Sequence, residues 1–461
     1  MTALTIAGSD SGGGAGIQAD LKTFAALSVH GVCVITSLTA QNTRAVREVF
    51  EVPLDFISAQ FKAIHEDFKV MAAKTGMLSS REIIKTVAKE AGNYPLVVDP
   101  VMIAASGGRL LKEDAVEALT ENLFPKAAIA TPNLFEAEVL SGMKIRRIED
   151  MKKAGKKISR FGCDVLVKGG HLNSADVLYY NKKFYEFKAE KLGYAAHGSG
   201  CVFASAITAE LAKGKNLLDA TRNAKLFITS AIKNAYAPGK GARVINPTGE
   251  MLRNSEKFRV ISELREAVNE MKELDGFYRL IPQVGTNIAY ALAGARNLSD
   301  VAGISGRIIR IKEQVKAIGE AEFGASKHVA GIVLAAMKFD GNARSATNIR
   351  YSKEILAACK HFKISSFSRK EEPRGVSTME WGTTQAIKKL GNSDRKLARI
   401  AKLVRKSGAL ANANAIFLTE GVPDIIYDLG SVGKEPMIRI LGKSPREVLD
   451  KLRQILEMQN V

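Results

Sequence analysis

The sequence predicts an α/β protein with a mostly parallel central sheet, followed by a second α/β domain. Two observations lead to this class. In residues 1–237, short apolar runs alternate with helical patterns, which is the order of parallel strands and crossover helices. The chain has 461 residues, which is more than one hydrophobic core usually spans, so a second domain is expected.

Five apolar runs of the first domain are expected to be strands, and helical patterns follow several of them. The strand runs are ALTIAG, GVCVITSLT, PLVVDPV, AAIATPN and DVLVKGG, and the helical patterns are GIQADLKTFAALSV, SREIIKTVAKEAG and EDAVEALTENLF. Two strands end in polar residues, at Asp99-Pro100 and at Thr131-Pro132-Asn133. Ligands of such sheets bind beyond the carboxyl ends of the strands, so these positions are candidates for a site.

A linker is expected at residues 238–254, where the segment APGKGARVINPTGEM concentrates proline and glycine between helical patterns. We therefore predict one domain over residues 1–237 and another over residues 255–461. The second domain starts with the helical pattern SEKFRVISELREAVNEMKEL and continues with mixed α/β patterning.

The composition argues against several classes of protein. No run of eighteen uncharged apolar residues occurs, and the first residues lack the features of a signal peptide, so we expect no membrane association and a cytoplasmic location. The four cysteines lie far apart without a CxxC pair, which argues against a disulfide framework or a zinc site.

The net charge of +19 raises the question of nucleic-acid binding. Residues 251–461 carry 35 Lys and Arg against 23 Asp and Glu, but these charges are dispersed along helical patterns, and the chain has a single Trp for stacking on bases. We therefore expect small anionic substrates and no nucleic acid, since a positive field attracts such substrates equally well.

The stretch HGSGCVFASA places a cysteine at the start of an apolar helical pattern. The N–H groups of Gly198, Ser199, Gly200 and Cys201 would point outward at a helix N-terminus, which is a ready anion hole for phosphoryl oxygens. The helix dipole would lower the pKa of Cys201, so that the thiolate could act as a general base. A buried, packed thiol is the alternative.

A second glycine-rich loop, in GSDSGGGAGIQADLKT, joins the first strand to the first helix. It lacks the lysine of a GxxxxGK[ST] loop, and its glycines could serve only a tight turn. Combined with HGSGC, however, it resembles the hydroxymethylpyrimidine and phosphomethylpyrimidine kinases of thiamine biosynthesis. The resemblance extends over about residues 2–236 and includes TAQNT, KTGML, DPVM, TPNLFEAEVLSG and LVKGGH.

This resemblance implies a ribokinase-like three-layer sandwich, the use of ATP and Mg²⁺, and a homodimer. It implies that Asp20 and Gln41 hold the aminopyrimidine, that Gly8 lets the ring approach the backbone, and that Met77 packs on the ring. Met77 as a core residue remains an alternative.

The resemblance also implies roles around the phosphates. Asn133 and Glu136 occupy an NxxE pattern that organises Mg²⁺ together with Asp99, and Lys168 offsets charge on the transferring phosphoryl group. Cys201 stands where related sugar kinases have an aspartate. Asp99 as a simple strand end is the alternative for that residue, and His197 is expected to be structural.

The second domain contains basic residues next to glycine-rich joints, where they could converge on phosphate because the arginine fork matches its oxygens. These residues are Arg307, Lys327, His328, Arg344, Arg350 and Arg369. Solvated surface arginines and a core histidine are the alternatives.

This half resembles the archaeal-type thiamine-phosphate synthase domain over about residues 255–457. The resemblance implies that hydroxymethylpyrimidine diphosphate is coupled to thiazole phosphate with release of pyrophosphate, and we assign the catalytic roles to Arg307 and His328. Two alternatives remain open: a thiamine-sensing role for the second domain, and a vitamin B6-type kinase activity for the first.

Overall fold

The computed structural model describes residues 1–103, 113–170, 175–189, 196–373, 375–391 and 421–459. The chain divides into two compact units, Met1–Leu252 and Arg253–Val461. Within the described ranges, no helix has both the length and the apolar character needed to cross a membrane.

The first unit is built on a nine-stranded sheet with the order β3-β2-β1-β4-β5-β6-β7-β8-β9. The strands from β2 to β7 in this order pair in parallel, and antiparallel pairs occur only at the two edges. The predicted mostly parallel sheet is therefore confirmed. The strands are β1 (Thr2–Asp10), β2 (His30–Gln41), β3 (Val46–Glu51), β4 (Val70–Thr75), β5 (Leu96–Val98), β6 (Ile129–Ala130), β7 (Asp164–Val167), β8 (Ala175–Tyr180) and β9 (Lys183–Lys188).

Helices cover both faces of this sheet. Adjacent residues of β5 show the division, since Val98 packs in a core with Ile84 while Val97 packs in another with Ile207. The unit is therefore the predicted three-layer sandwich. The helices are α1 (Gly16–Ala26), α2 (Leu54–Asp67), α3 (Arg81–Glu90), α4 (Glu113–Ala118), α5 (Leu134–Ser141), α6 (Ile148–Ile158), α7 (Ser199–Ala212) and α8 (Leu217–Lys233).

The second unit contains a seven-stranded sheet with the order β14-β11-β10-β15-β18-β17-β16 and a separate pair β12-β13. All pairs in this unit are antiparallel except β16-β17. The strands are β10 (Ile288–Ala291), β11 (Val301–Ile304), β12 (Ile308–Ile311), β13 (Gln314–Ala317), β14 (Ala321–Phe323), β15 (Ser345–Arg350), β16 (Ile364–Ser366), β17 (Ile425–Asp428) and β18 (Met437–Gly442).

Helices also cover both faces of the second sheet. One core contains Leu264, Ile288 and Leu452, and the other contains Ala289 and Ile332. The helices are α9 (Gly249–Glu273), α10 (Lys327–Met337), α11 (Lys353–Ala358), α12 (residues 378–391) and α13 (Pro445–Gln459).

Helix α9 begins inside the range that the sequence assigned to a linker. The last six residues of 238–254 are helical, and the linker bounds stay a prediction. In the structure the irregular segment ends at Thr248, and Glu250 lies in the first turn of the helix, where a negative charge is favourable.

A buried ion pair lies in the first unit beneath the N-terminus of α7. Lys74 Nζ is 2.9 Å and 2.8 Å from the two carboxylate oxygens of Asp20, and neither side chain is exposed. Thr5 and Ser205 each donate a hydroxyl to the same carboxylate, both at 2.6 Å. Burial alone would lower the pKa of Lys74, but the Asp20 and Cys201 groups raise it overall, so the lysine stays charged.

We predict that Lys74→Met destabilises the first unit by about 3–5 kcal/mol, because it leaves the Asp20 carboxylate buried without a counter-charge. Urea unfolding of the full chain followed by circular dichroism measures the loss. Lys62→Met is the control, since Lys62 pairs with Glu66 on the surface, and it should change the unfolding free energy by less than about 0.5 kcal/mol. Equal effects of the two variants would contradict the prediction.

Candidate active sites

The carboxyl ends of three neighbouring strands bring Asp99, Asn133 and Lys168 together. Asp99 directly follows β5, Asn133 lies three positions after the end of β6, and Lys168 directly follows β7. Lys168 Nζ donates to Asp99 Oδ1 at 2.7 Å, and the backbones of Asn133 and Lys168 form a parallel bridge. Asp99 therefore does more than end a strand, because it fixes the ammonium group of Lys168.

Glu136 is held beside this ion pair by the first turn of α5. Its carboxylate accepts the Asn133 N–H at 2.8 Å, while its own N–H donates to the Asn133 side chain at 2.9 Å, which together form a capping box. Burial raises the pKa of Glu136 to about 7, and Lys168 opposes this rise.

The start of α7, where we predict the anion hole, faces the ion pair. A Cβ atom added at Gly200 would lie 3.4 Å from Lys168 Nζ and 3.6 Å from Asp99 Oδ2. Gly198 has a φ of +90° and approaches the Gly14 carbonyl so closely that a Cβ would lie 1.9 Å from its oxygen. Only glycine fits at 198, and this contact joins the two glycine-rich loops.

Cys201 lies in the first turn of α7, as predicted, but the expected low pKa is wrong. Burial raises the pKa of its thiol to about 11, and the attraction of Lys74 for the thiolate offsets only part of that rise. The sulfur also receives a hydrogen bond from the Gly16 N–H. The residue thus contacts the first glycine loop, and its action as a general base stays a prediction.

Asp10 organises the glycine-rich loop, a role that the sequence analysis missed. Its carboxylate accepts three backbone N–H groups at 2.8–3.0 Å, from Gly12, Gly14 and Ala15. Burial by itself raises the pKa of Asp10, but the hydrogen bonds from His197 and the loop lower it overall. A carboxylate followed by glycines after a strand is the signal that could have indicated this anchor.

Gln41 lies at the end of β2 and contacts the same anchor. Its Nε2 atom is 3.1 Å from His197 Nε2, which is itself 3.3 Å from Asp10 Oδ2. On the neighbouring strand, a Cβ at Gly8 would lie 3.2 Å from Met77 Sδ. Gly8 and Met77 are thus in contact, and Met77 is largely buried.

The structure places two of the expected site residues in contacts within the protein. Asp20 lies in the core with no exposed surface and binds Lys74, Thr5 and Ser205, and its contact with a pyrimidine stays a prediction. The Asn133 side-chain oxygen caps α5 and orients Glu136, and the role of Asn133 at a metal also stays a prediction.

The remaining carboxylates, Asp99 and Glu136, fit a Mg²⁺ ion that is held mainly by nucleotide phosphates. Among the residues that the structure describes, no group of three or more His, Cys, Asp or Glu side chains could hold a metal alone. Mg²⁺ typically uses one or two carboxylates plus substrate phosphates and water. The oxygen donors at this strand edge match that need.

In the second unit, several expected basic residues lie at one end of the sheet. Lys327 and His328 are exposed in the first turn of α10, whose N-cap Ser326 packs on Gly303 at the end of β11. Exposed Arg307 precedes β12 and donates to the Val284 carbonyl, just before β10.

Two of the expected phosphate-binding arginines are engaged by other groups. Arg344 donates to the Ala291 carbonyl and to Glu256 at 2.6 Å, and it stacks over Tyr290. Arg369 binds Asp428 through two nitrogens at 2.5 Å and 3.1 Å.

Comparison with known proteins assigns each unit. The family model for phosphomethylpyrimidine kinase matches residues 10–246, and the model for thiamine-phosphate synthase ThiN matches residues 263–409 and 400–454. The bifunctional thiamine biosynthesis protein ThiDN of Methanocaldococcus jannaschii is 37% identical, covering 100% of this chain and 99% of the relative. The hydroxymethylpyrimidine/phosphomethylpyrimidine kinase of Aquifex aeolicus is 44% identical over 53% of this chain and 100% of its own length.

Solved structures support the fold of the first unit. The ADP complex of Bacillus subtilis pyridoxal kinase aligns with a TM-score of 0.50 and 40% identity, covering 54% of this chain and 98% of that one. Staphylococcus aureus pyridoxal kinase in complex with pyridoxal aligns with a TM-score of 0.51 and 39% identity, covering 54% of this chain and 94% of that one. The chain thus belongs to the bifunctional thiamine biosynthesis transferases, in which a ribokinase-like phosphomethylpyrimidine kinase precedes a ThiN domain.

Proposed function

We propose that the first unit transfers the γ-phosphoryl group of ATP to hydroxymethylpyrimidine and then to its monophosphate, and that the second unit couples the diphosphate to thiazole phosphate. The observation that carries the kinase proposal is the approach of the Lys168–Asp99 ion pair to the N-terminus of α7. That arrangement combines a fixed cation with outward N–H groups, which is what a transferring phosphoryl group requires.

In the first kinase step the substrate hydroxyl oxygen attacks the γ-phosphorus, the bond to the β-phosphate oxygen breaks, ADP leaves, and the hydroxyl proton passes to solvent. In the second step a phosphate oxygen of the monophosphate is the attacking atom, and ADP leaves in the same way. Lys168 and the N–H groups at Ser199 and Gly200 stabilise the phosphoryl oxygens during transfer. Asp99 and Glu136 would hold Mg²⁺, which neutralises charge on the nucleotide phosphates. Because phosphoryl transfer has a loose transition state with little need for a strong base, a protonated Cys201 is compatible with this mechanism.

The pyrimidine is proposed to lie against Gly8 and Met77, with Gln41 at its polar edge. The contact between Gly8 and Met77 and the position of Gln41 at the end of β2 support this placement. A homodimer is also part of the proposal, since the edge strand β3 and the adjoining helix α2 expose Phe50 and Phe56.

In the coupling step the thiazole nitrogen forms a bond to the pyrimidine methylene carbon, and the carbon–oxygen bond to the diphosphate breaks. Arg307 and His328 are proposed to bind the departing pyrophosphate. Their support is that both are exposed, and that His328 lies in the first turn of a helix whose N-terminus favours anions.

A second candidate for the first unit is pyridoxal kinase activity, which is favoured by the two aligned pyridoxal kinases. Pyridoxal shares a six-membered ring and a hydroxymethyl arm with the proposed substrate. The ratio of kcat/KM for hydroxymethylpyrimidine and pyridoxal at a fixed ATP concentration separates the two activities.

We predict that Lys168→Ala lowers kcat of the kinase about 10²- to 10³-fold, because it removes the fixed cation from the transition state. Cys201→Ser should cost much less, because the hydroxyl can still accept the Gly16 N–H. Steady-state ADP release measures both variants, and Lys144→Ala, at an exposed pair with Glu138, is the control. A loss in Cys201→Ser equal to that in Lys168→Ala would restore a chemical role for the thiol.

The pKa of Glu136 predicts a pH dependence for nucleotide use. Because its pKa is raised to about 7, the carboxylate is protonated below that pH and ionised above it. The kcat/KM for ATP, which reports the free enzyme, should therefore rise as the pH increases through about 7. Glu136→Gln should be less active and lack this rise of kcat/KM with pH, whereas Glu138→Gln on the same helix should keep the wild-type pH profile. An unchanged rise of kcat/KM with pH in Glu136→Gln would contradict the prediction.

Thiamine phosphate formation by the full chain tests the coupling proposal. With preformed hydroxymethylpyrimidine diphosphate and thiazole phosphate, Arg307→Ala and His328→Ala should each lower the rate by about 10²-fold or more, since each removes a donor to the leaving pyrophosphate. Kinase activity should persist in both variants. The matched controls are Arg310→Ala and His361→Ala, at exposed positions of the same unit.

No thiamine phosphate from the wild-type chain would favour the thiamine-sensing alternative for the second unit. Normal coupling in both variants would remove Arg307 and His328 from the site.

A further inference from the structure

Three side chains of the second unit form a buried group that we call the arginine cluster: Arg369, Asp428 and Arg439. Asp428 ends β17 and has no exposed surface. It accepts two hydrogen bonds from Arg369, at 2.5 Å and 3.1 Å, and one from Arg439 Nη2 at 2.6 Å. Arg439 lies on β18 and is 1% exposed.

The arginine cluster has one more positive charge than negative charge. Two guanidinium groups share a single carboxylate. Glu372, a carboxylate near Arg369, is already paired with Lys434 at 3.3 Å. Buried charges are usually compensated by partners. The excess of one buried positive charge therefore indicates that an anion completes the cluster.

The structure also indicates where that anion would bind. Arg439 Nη1 is buried and has no hydrogen-bond partner among the described residues, and the same is true of Arg350 Nε. Arg350 pairs with Met437 on β18, and Met437 is two residues from Arg439, so both arginines lie on the same face of adjacent strands. Open buried donors of this kind are rare and call for a missing partner.

This position lies on the same sheet face as the N-terminus of α10. Arg439 is opposite Asn348 on β15, and the Asn348 side chain accepts the Asn287 N–H at 2.9 Å. The side chain of Asn287 in turn lies close to Gly303, on which Ser326 at the N-terminus of α10 packs. The open donors and the α10 terminus thus belong to one end of the same sheet face.

We propose that Arg439 and Arg350 form a second phosphate-binding subsite of this unit. The identity of the bound group as the phosphate of a substrate rests on the proposed coupling function, whereas the binding of a phosphate-type anion rests on the arginine cluster and on the open donors of Arg439 and Arg350. The subsite consists of other residues than Arg307 and His328, and the two substrates of the coupling step both carry phosphate.

The chain contains a natural reporter for this subsite. Its single tryptophan, Trp381, makes an edge contact with Phe367 at 6.0 Å between ring centroids, and the guanidinium of Arg439 lies 5.1 Å from the Phe367 ring. Trp381 fluorescence therefore follows both the unfolding of the second unit and events at Arg439.

The test is a fluorescence titration of the full chain with inorganic phosphate and, separately, with pyrophosphate. Arg439→Met should weaken binding of at least one of these anions tenfold or more, and Arg350→Met should weaken the same anion. Which anion is affected tells whether the subsite takes a monophosphate or a diphosphate. Arg446→Met is the control for general charge, since this exposed arginine pairs with Glu270, and it should bind as the wild type does.

Thermal unfolding followed at Trp381 separates binding from a purely structural role. Arg439→Met leaves Asp428 balanced by Arg369, so without anion its midpoint should equal or exceed that of the wild type, while the rise caused by the anion should shrink. A midpoint lowered equally with and without anion would overturn the proposal, as would unchanged affinity for both anions in Arg439→Met and Arg350→Met.

These outcomes do not depend on catalysis. Anion binding that is lost in Arg439→Met but accompanied by no thiamine phosphate formation would retain the subsite and reject the coupling function. If the wild type forms thiamine phosphate but anion binding is unchanged in the variants, the coupling function is supported and the subsite is rejected.

Discussion

One buried carboxylate holds the kinase unit together beneath its active site. Asp20 on α1 accepts hydrogen bonds from Thr5 on β1, Lys74 on β4 and Ser205 on α7. The strands and helices that carry the two glycine-rich loops are therefore joined by one polar group in a dry core, where such a group is costly unless it is fully paired. The position of the α7 N-terminus, and with it the anion hole, depends on this junction.

The sequence was sufficient to predict the strand ends that build the kinase site, because the carboxyl ends of neighbouring parallel strands must meet at one edge. The sequence could not predict which groups contact an individual side chain. Asp20 occupies a family motif, yet its partners Lys74 and Ser205 come from distant segments, so its burial in an ion pair was not visible. Cys201 shows the same limit, since burial outweighs the effect of the helix dipole that the pattern suggested.

Sequence analysis missed Arg439 and Asp428 because only the register between their strands brings them together. Arg439 and Asp428 are ordinary members of two short strands, and they become a cluster only because β17 and β18 pair in one register and Arg369 follows β16. Arg344 shows the converse, since it has the residue type and glycine-rich surroundings of a phosphate ligand but is held by Glu256 and the Ala291 carbonyl. Residue type identifies candidates, and pairing decides among them.

The protonated state of Cys201 has a consequence for chemical reactivity. Alkylating agents and oxidants attack the thiolate, and a pKa of about 11 leaves about one thiol in 10⁴ ionised at pH 7. Burial that raises the pKa of the Cys201 thiol therefore lowers its reactivity toward oxidants. For the same reason, a cysteine-directed covalent inhibitor would need an electrophile that also disturbs the local burial, for instance by displacing the contact between the sulfur and the Gly16 N–H.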